Sequence, residues 1–339
     1  RDTPGKEKMI VFTNAQVFDG LNNRLTAASV VVDGERIQSV SDAPPPPGAE
    51  VVDCGGRVLM PGLIDAHIHA YFYDMNVNRL QHMPVTMYAH HAANMLRDML
   101  DRGFTSVRDT GGADYGLWLA IQKGLITAPR LYYCEKAISQ TGGHVDMRHH
   151  HEHHPHDDHL VMCGCCFANP LGVVVDGVDS VRRVIREQLR RGASFIKFMG
   201  SGGVASVSDP LEGIQFSNDE VRAIVEEVEN HLVYCSAHIH PDRALKRAIG
   251  LGVHCIEHGT LIEPDTANMA ADKGVSIVPT LAVIAGLAER GEEFGLPRES
   301  LDKLDNIKDQ AVERLRHMKR AGVRVGFGTD LIGAIQPMQ

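Results

Sequence analysis

Long apolar runs are absent from this sequence, and none approaches the roughly 18 residues that a membrane-spanning helix needs. The first six residues lack both the apolar core of a signal peptide and an initiator methionine, so we expect an upstream segment to be missing. Basic residues are outnumbered, with 34 Lys and Arg against 43 Asp and Glu, and the net charge is −9. That charge disfavours binding to a phosphate backbone. We therefore expect a cytoplasmic protein without a membrane or nucleic-acid partner.

Patterns for disulfides and for nucleotide binding are missing as well. The seven cysteines are an odd number, and the cluster Cys163, Cys165 and Cys166 has no second cysteine pair, which disfavours a disulfide framework and a structural zinc site. No Gly-x-Gly-x-x-Gly motif follows the first strand of the α/β part, and the glycine-rich residues 200–204 lack the lysine of a phosphate-binding loop. We therefore predict no organic cofactor.

Short apolar segments divide the chain into two parts. Residues 9–59 contain Val- and Ile-rich runs separated by turn residues such as Asp33-Gly34, which predicts a small N-terminal β-sandwich domain over residues 1–60. From Leu63 onward, apolar strands alternate with helical stretches. Eight strands are predicted, at residues 63–66, 104–107, 130–134, 194–199, 232–237, 253–257, 275–279 and 323–327.

Eight strands joined by helical crossovers favour an α/β fold with a (β/α)8 TIM-like barrel over an open doubly wound sheet. We assign residues 61–339 to this barrel. Because only 12 residues follow Phe327, we expect the barrel to be truncated after its eighth strand and to lack its last helix.

Residues that can bind metal ions recur at the predicted carboxyl ends of these strands, where barrels of this type carry their chemistry. His67 and His69 follow the first strand and, being two residues apart, point the same way. Alone they are weak evidence, since a surface strand with two polar positions gives the same pattern. The other candidates, at the ends of strands four, five, six and eight, are Lys197, His238, His258 and Asp330. Six such residues at one end of five strands predict a metal site.

Lys197 is the unusual member of this set, because it lies in the apolar run Phe195-Ile-Lys-Phe-Met199. A buried, unpaired ammonium group is costly, and it has no lone pair with which to bind a metal. A neutral amine near two cations can instead capture CO₂ and become a carbamate, with one oxygen for each cation. We therefore predict two divalent metal ions, with zinc suited to the imidazole ligands, and a carboxylated Lys197. The alternative is a lysine that extends from the strand end into solvent.

Other polar residues are candidates for contact with a substrate. His240 shares a strand face with His238, and Tyr71 and Arg148 could meet a substrate carboxylate. Residues 144–159 contain eight histidines, which we interpret as a solvated loop rather than a metal-loading or pH-responsive lid. His144 is the exception, because we expect the Gly-Gly pair before it to fix its position.

These motifs together resemble the amidohydrolase superfamily over nearly the whole chain. The likeness rests on Met60-Pro-Gly-Leu-Ile-Asp-Ala-His-Ile-His69, Lys197, Ala237-His238, Ile256-Glu-His-Gly259 and Gly328-Thr-Asp330. Further stretches, including Ser139-Gln-Thr-Gly-Gly-His144 and Gly202-Gly-Val-Ala-Ser206, are similar to its imidazolonepropionase-like branch, which contains carboxylated-lysine prolidases (Xaa-Pro dipeptidases) and the ochratoxin-hydrolysing amidase. Related prolidases have a tyrosine where this chain, like the ochratoxin-hydrolysing amidase, has His240.

The resemblance implies a binuclear metal site bridged by carboxylated Lys197. The ligands of the more buried ion would be His67, His69 and Asp330, and those of the more exposed ion His238 and His258. His144 would polarise or orient the scissile carbonyl, and Asp330 would pass a proton from the attacking water to the leaving amine.

The expected function is hydrolysis, by a metal-bridging hydroxide, of an amide bond in dipeptides or N-acyl amino acids, as in the prolidases or the ochratoxin-hydrolysing amidase. The expected partner is this small molecule, and the protein is expected to be a homo-oligomer. One alternative is the opening of a cyclic amide, as in imidazolonepropionase. Another is a non-catalytic assembly protein on the same barrel, which the complete set of six site residues disfavours.

Overall fold

The computed structural model describes residues 9–74, 79–80, 83–148, 169–206 and 209–339. The cysteine cluster at 163–166 and the histidines at 149–159 lie outside the described residues, so the predictions for them stay predictions. The chain divides into two compact units, Arg1–Leu63 and Ile64–Gln339. In the described parts of the chain, no helix has the length and apolar character needed to cross a membrane.

The first unit contains one five-stranded sheet. Its strands are β1 (Ile10–Val17), β2 (Thr26–Asp33), β3 (Arg36–Ser41), β4 (Glu50–Asp53) and β5 (Val58–Leu59). β1, β2 and β3 pair antiparallel, whereas β4 and β5 run parallel to β1. β4 was not predicted, because it has only four residues, all exposed, and shows no alternation of apolar and polar positions. The second layer of the expected sandwich stays a prediction.

Ten strands follow from Leu63 onward in the described residues. They are β6 (Leu63–Ile68), β7 (Phe104–Asp109), β8 (Arg130–Tyr133), β9 (Ala137–Ser139), β10 (Gly172–Val174), β11 (Ile196–Met199), β12 (Cys235–Pro241), β13 (Cys255–Leu261), β14 (Ser276–Val278) and β15 (Arg324–Val325). They form a three-stranded sheet, β6-β7-β8, and a seven-stranded sheet in the order β10-β9-β11-β12-β13-β14-β15. All pairs in the longer sheet are parallel. The parallel order predicted from the alternating pattern is therefore observed.

Backbone hydrogen bonds connect the two sheets at both ends. The N–H of Ser194, just before β11, donates to the carbonyl of Tyr133 in β8 at 2.7 Å. Beyond β15, the N–H of Ala66 donates to the carbonyl of Phe327 at 2.9 Å, and the N–H of Asp330 donates to the carbonyl of His67 at 2.8 Å. The residues that follow the last strand therefore lie beside the first strand of this unit.

Helices follow most of the strands. The described α-helices are α1 (Val85–Asp101), α2 (Tyr115–Gln122), α3 (Val178–Arg190), α4 (Asn218–Asn230), α5 (Asp242–Gly250), α6 (Pro264–Asp272), α7 (Leu281–Arg290), α8 (Arg298–Lys308) and α9 (Ala311–Ala321), and a 3₁₀ helix covers Gly333–Met338. The sequence predicted one helix before the last strand, whereas the structure has α7, α8 and α9 there. The expected helix, ending near Arg320, is α9, whereas α7 and α8 were not predicted; Gly291 ends α7, and Pro297 precedes the first residue of α8.

Three strands extend further than predicted, over the histidines that were expected to follow them. The β12–β13 ladder continues through the pairs Ile239–His258 and Pro241–Leu261, and β6 includes His67. The prediction ended each strand just before its histidine, at residues 66, 237 and 257, but backbone pairing continues where polar side chains face the site. Strand backbone therefore holds His67, His238, His240 and His258, whereas His69 follows the end of β6.

Three apolar clusters support the described part of this unit, and one of them packs β6, β7 and β8 against α1 and α2. The largest packs β9 and β11 to β14 against α3 to α6 and α9. The second joins α7 and α8 to residues at the carboxyl ends of strands, among them Met199 and Val204. This second cluster borders the site described next.

Candidate metal centre

Two groups of potential ligand atoms meet at the carboxyl ends of the strands. One group is His67, His69 and Asp330, and the other is His238, His240 and His258. Within each group the ligand atoms lie within 4.8 Å of one another. Both groups line one cavity of about 110 Å³, together with Lys197 and His144. Tertiary folding therefore brings together all the residues predicted as metal ligands, and it adds His240, which the sequence indicated only as a substrate contact.

In the first group, one nitrogen of each histidine is occupied by a hydrogen bond. His67 donates from Nδ1 to Glu257 Oε2 at 2.8 Å, and His69 donates from Nδ1 to the carbonyl of Gly111 at 2.8 Å. The Nε2 atoms lie 3.5 Å and 3.4 Å from Asp330 Oδ1. These bonds set the tautomer of each ring and leave the Nε2 lone pairs beside the carboxylate, as in a metal-binding histidine with a fixed orientation.

Glu257, which accepts the hydrogen bond from His67 Nδ1, was not predicted as a site residue. It is fully buried and accepts hydrogen bonds from Arg108 and Ser236 as well as from His67. Burial would raise its pKa, but the charges of Arg108 and His67 hold the pKa well below the usual range. Neighbouring strand residues normally point to opposite faces, yet Glu257 and His258 both face His67, because a φ of 72° at His258 interrupts the regular strand.

In the second group, hydroxyl and carbonyl oxygens occupy one nitrogen of each ring. His258 Nδ1 lies 2.7 Å from Thr280 Oγ1, and His240 Nδ1 lies 2.7 Å from Thr260 Oγ1. His238 Nε2 lies 3.2 Å from the carbonyl oxygen of Gly202. Burial lowers the pKa of all three imidazoles, that of His240 to about 3. Neutral imidazole is the form that binds a metal.

Lys197, in β11, is the remaining predicted metal ligand that lines the cavity. Its side chain is 1% exposed, and burial lowers the pKa of its amine. Among the residues that the structure describes, its amine has no hydrogen bond or ion pair. Neutral imidazoles, one carboxylate and an amine without a partner fit divalent cations of the zinc type. The donor set therefore fits the metal ions that the sequence predicted.

His144 lies beside the second group, and a buried serine and aspartate hold its ring. It stacks on His238 with ring centroids 4.2 Å apart. Its Nδ1 is 2.7 Å from Ser206 Oγ, and the Ser206 hydroxyl donates to the carboxylate of Asp209. Gly203 leaves room for the ring, since a Cβ there would come within 2.2 Å of His144 Cε1. Ser206 and Asp209 were not predicted, because the sequence contains no pattern that links them to His144.

Asp209 is in turn held by a lysine from a distant helix. Lys303 of α8 lies 3.7 Å from its carboxylate and donates to the carbonyls of Gly203 at 3.0 Å and Ser206 at 2.7 Å. Burial would raise the pKa of Asp209, but His144, Ser206 and Lys303 hold it at about 2. The carboxylate of Asp209 is therefore ionised, and Lys303 attaches α8 to Gly203, Ser206 and Asp209.

Two predicted substrate contacts lie elsewhere. The Tyr71 hydroxyl donates to Asp114 Oδ1 at 3.1 Å. Arg148 donates to both carboxylate oxygens of Asp146, at 2.7 and 2.6 Å. Neither Tyr71 nor Arg148 is among the described residues that line the cavity. Their roles toward a substrate carboxylate stay predictions.

Comparison with known proteins confirms the resemblance inferred from the motifs. A model of the amidohydrolase family matches residues 58–338. Ochratoxinase of Aspergillus niger is 36% identical over 280 residues, which are 80% of this chain and 58% of that protein. The chain therefore spans less than two thirds of the length of this relative.

Solved structures give the same result at higher coverage. A prolidase complexed with N-methylphosphonate-L-proline has 42% identity and a TM-score of 0.90, over 97% of this chain and 80% of that chain. An amidohydrolase has 42% identity and a TM-score of 0.92 over the same shares. The ochratoxinase structure has 30% identity and a TM-score of 0.81, over 98% of this chain and 77% of that chain. These neighbours imply an α/β, TIM-like barrel for the second unit.

Proposed function

Since this chain belongs to the amidohydrolase family, we propose that it is a binuclear metal-dependent hydrolase that cleaves the amide bond of a dipeptide or an N-acyl amino acid. The observation that carries this proposal is the meeting of two ligand groups, a buried lysine and His144 on one cavity. The substrate class is supported by the relatives, which are named as a prolidase and an ochratoxinase. The expected partner is thus a small amide, and we propose a homo-oligomer.

The scaffold we propose is a closed (β/α)8 barrel over residues 61–339, preceded by part of a small β domain at residues 1–60. Closure is supported by the hydrogen bonds from Ala66 to Phe327 and from Asp330 to His67, which join the two ends of the strand series. A closed barrel directs the carboxyl ends of all its strands into one site.

We assign one divalent cation to His67, His69 and Asp330 and a second to His238 and His258, with carboxylated Lys197 between them and zinc as the metal. When bound, the two ions would supply a water of lowered pKa and polarise the scissile carbonyl. The assignment of Lys197 is supported by its burial without a partner, since only the neutral amine can react with CO₂. His240 lines the same cavity and is assigned a substrate contact.

Two side chains are assigned the proton transfer and the orientation of the scissile carbonyl. Asp330 accepts the proton of the attacking water and delivers it to the leaving amine; its carboxylate lines the cavity, within reach of both. His144 orients the scissile carbonyl, with its ring fixed by Ser206 and Asp209. Asp330 and His144 line the same cavity, which supports these two assignments.

Metal content and amide turnover together test this function. The purified protein is expected to contain about two zinc ions per chain and to lose activity after chelation. Hydrolysis of at least one N-acyl-proline, dipeptide or ochratoxin-like amide is expected. Two metal ions with turnover of a cyclic amide alone would favour the imidazolonepropionase-like alternative. A protein that binds no metal and hydrolyses none of these compounds would favour a non-catalytic assembly protein.

Replacing Asp209 by Asn is expected to lower kcat by about 100-fold, the lower end of what a positioned acid–base group contributes. The neutral amide no longer fixes the Ser206 hydroxyl and the His144 ring, while the metal ligands are untouched. KM and metal content should change little, and steady-state kinetics with metal analysis measure all three. Asp305→Asn, at an exposed carboxylate of α8, is the control. An unchanged kcat in Asp209→Asn would show that His144 does not depend on this carboxylate.

A further inference from the structure

We propose that Arg108 is a positioning residue for the metal centre, which acts through Glu257 and His67 and makes the first ligand group bind its ion more tightly than the second. This inference rests on the proposed function and specifies how its two ions are held. Arg108 lies in β7 and Glu257 in β13, 149 residues apart. Neither is among the described residues that line the cavity, so both would act through His67.

The Arg108 guanidinium fixes the backbone and the ring of His67 together. Its Nε donates to the carbonyl of Ala66 at 2.6 Å, one residue before His67. A second nitrogen donates to Glu257 Oε1, and Glu257 Oε2 accepts from His67 Nδ1 at 2.8 Å. One side chain of a neighbouring strand therefore sets both the strand position of His67 and the orientation of its ring.

Arg108 is itself held in one orientation. It is 8% exposed, and its guanidinium carbon lies 5.1 Å from the centroid of the Phe195 ring, which stacks on Tyr234 at 5.2 Å. Its third nitrogen donates to the Tyr234 hydroxyl at 3.3 Å. A planar, forked cation can make these contacts at once, whereas the ammonium group of a lysine cannot. The geometry is therefore specific to arginine.

The candidate ligand histidines differ in the oxygen that their rings meet. Within 3.2 Å in the described residues, the ring of His67 alone has a carboxylate partner, Glu257. The other four rings have neutral oxygens, which are the carbonyls of Gly111 and Gly202 and the hydroxyls of Thr260 and Thr280. A charged acceptor makes the stronger hydrogen bond and raises the basicity of the opposite ring nitrogen. The first group should therefore bind its ion more tightly.

A carboxylate can lie at this place only if its charge is compensated. Glu257 has no exposed surface, and an isolated carboxylate there would lose its hydration at high cost. Arg108 supplies the cation, and the Ser236 hydroxyl donates to the same carboxylate oxygen. Removing one charge of a buried pair is strongly destabilising, whereas removing both is often neutral. A double substitution can therefore separate stability from positioning.

Metal titration of the chelated protein tests the proposal. Calorimetry with Zn²⁺ gives the Kd of each ion, and the visible absorption of the Co²⁺ form reports the ligand geometry. The wild type should bind in two steps whose Kd values differ by about tenfold or more. Arg108→Met and Glu257→Gln should each weaken the tighter step by about 10 to 100-fold and change the other by less than about threefold. Equal weakening of both steps, or of neither, would overturn the proposal.

A substitution in the second group identifies the steps. Thr280→Val removes the hydroxyl that pairs with His258 Nδ1 and should weaken the other step, by about tenfold. Loss of the same step in Thr280→Val and Arg108→Met would contradict the assignment of Arg108 to the first group.

The His67 ring gives a readout that needs no metal. The ¹⁵N–¹H signal of its Nδ1–H, identified by its loss in His67→Asn, reports the hydrogen bond to Glu257 in the chelated protein. This signal should shift in Arg108→Met and in Glu257→Gln. An unchanged signal in both variants would show that Arg108 does not position the ring.

Arg191→Met is the matched control for loss of a cation beside a buried carboxylate. Arg191 Nε lies 3.2 Å from Glu135 Oε1, and neither residue is among those described as lining the cavity. This variant should lose thermal stability but keep both metal steps and the His67 signal. A loss of the tighter step in Arg191→Met equal to that in Arg108→Met would reduce the effect to general destabilisation and refute the proposal.

Two further variants keep the test decisive if Arg108→Met is too unstable to purify. Arg108→Met combined with Glu257→Gln removes both buried charges and should fold, yet lose affinity only at the tighter step. Arg108→Lys keeps the charge without the fork and should bind the first ion with intermediate affinity. Wild-type affinity at both steps in the double variant would overturn the proposal.

Metal binding and amide turnover separate this inference from the proposed function. Two unequal binding steps that depend on Arg108, without hydrolysis of any amide, would retain the positioning role and reject the hydrolase. Turnover with two ions whose affinities do not depend on Arg108 would retain the hydrolase and reject the positioning role. A protein that binds no metal would reject both.

Discussion

Asp330→Asn is expected to lower kcat by about 10² to 10⁴-fold while the protein keeps its metal ions, because asparagine preserves the shape and one oxygen ligand but cannot carry the proton. Asp330 Oδ1 lies 3.5 Å from His67 Nε2 and 3.4 Å from His69 Nε2. The Asp330 backbone is held by its hydrogen bond to the His67 carbonyl at 2.8 Å, in a left-handed conformation with φ 53°. An asparagine should adopt this conformation, since asparagine tolerates positive φ well.

The measurement is kcat for the best amide substrate, with metal content determined on the same sample. Asp305→Asn, whose side chain is 57% exposed, is the control for a loss of one negative charge. A variant that keeps both its metal and its kcat would contradict the role of Asp330 as proton carrier. A variant that loses metal in parallel with kcat would show that Asp330 acts chiefly as a ligand.

Lys197→Met is expected to have opposite effects on the two forms of the protein. In the chelated form it removes a buried amine without a partner and should stabilise the fold by about 1 to 4 kcal/mol, as when a buried ion is replaced by an apolar side chain. In the metal-loaded form it removes the proposed bridging ligand, and metal affinity and kcat should each fall by more than about 100-fold. Thermal unfolding with and without chelator, together with metal analysis, measures both.

The matched control is Lys303→Met, because the Lys303 ammonium has oxygen partners within 3.0 Å where Lys197 has none among the described residues. Lys303→Met should destabilise both forms. A loss of stability in chelated Lys197→Met would show that the amine is satisfied in the wild type. Unchanged metal binding in that variant would remove Lys197 from the metal site.

The pH dependence of stability gives a second check on Lys197. Burial lowers the pKa of its amine in the folded chain below the ordinary 10.5, so the unfolded chain binds more protons in that interval. The contribution of Lys197 to the stability of the chelated protein should therefore rise with pH until about 10.5. Wild-type stability should show this rise relative to Lys197→Met, and parallel pH profiles would contradict it.

The sequence by itself determined the residue types at the site and most of the strand order. A strand that ends in a ligand-type residue can be recognised locally, as for His67, Lys197 and Asp330. The (β/α) alternation then predicts that these ends meet, because parallel strands direct their carboxyl ends to one edge. The family could be inferred for the same reason, since its motifs are short and contiguous.

Tertiary structure alone decided which groups support those residues. Glu257 is 190 residues from His67, Ser206 is 62 residues from His144, and Lys303 is 100 residues from Gly203. No local pattern marks such partners, because a buried hydrogen bond depends on where two distant backbones come together. The sequence predicted only the helix that ends near Arg320, so α7 and α8, which line the cavity, likewise became known from the tertiary structure alone. The sequence thus predicted the ligand-type residues of the candidate site, and tertiary structure specified their orientation and the shape of the space beside them.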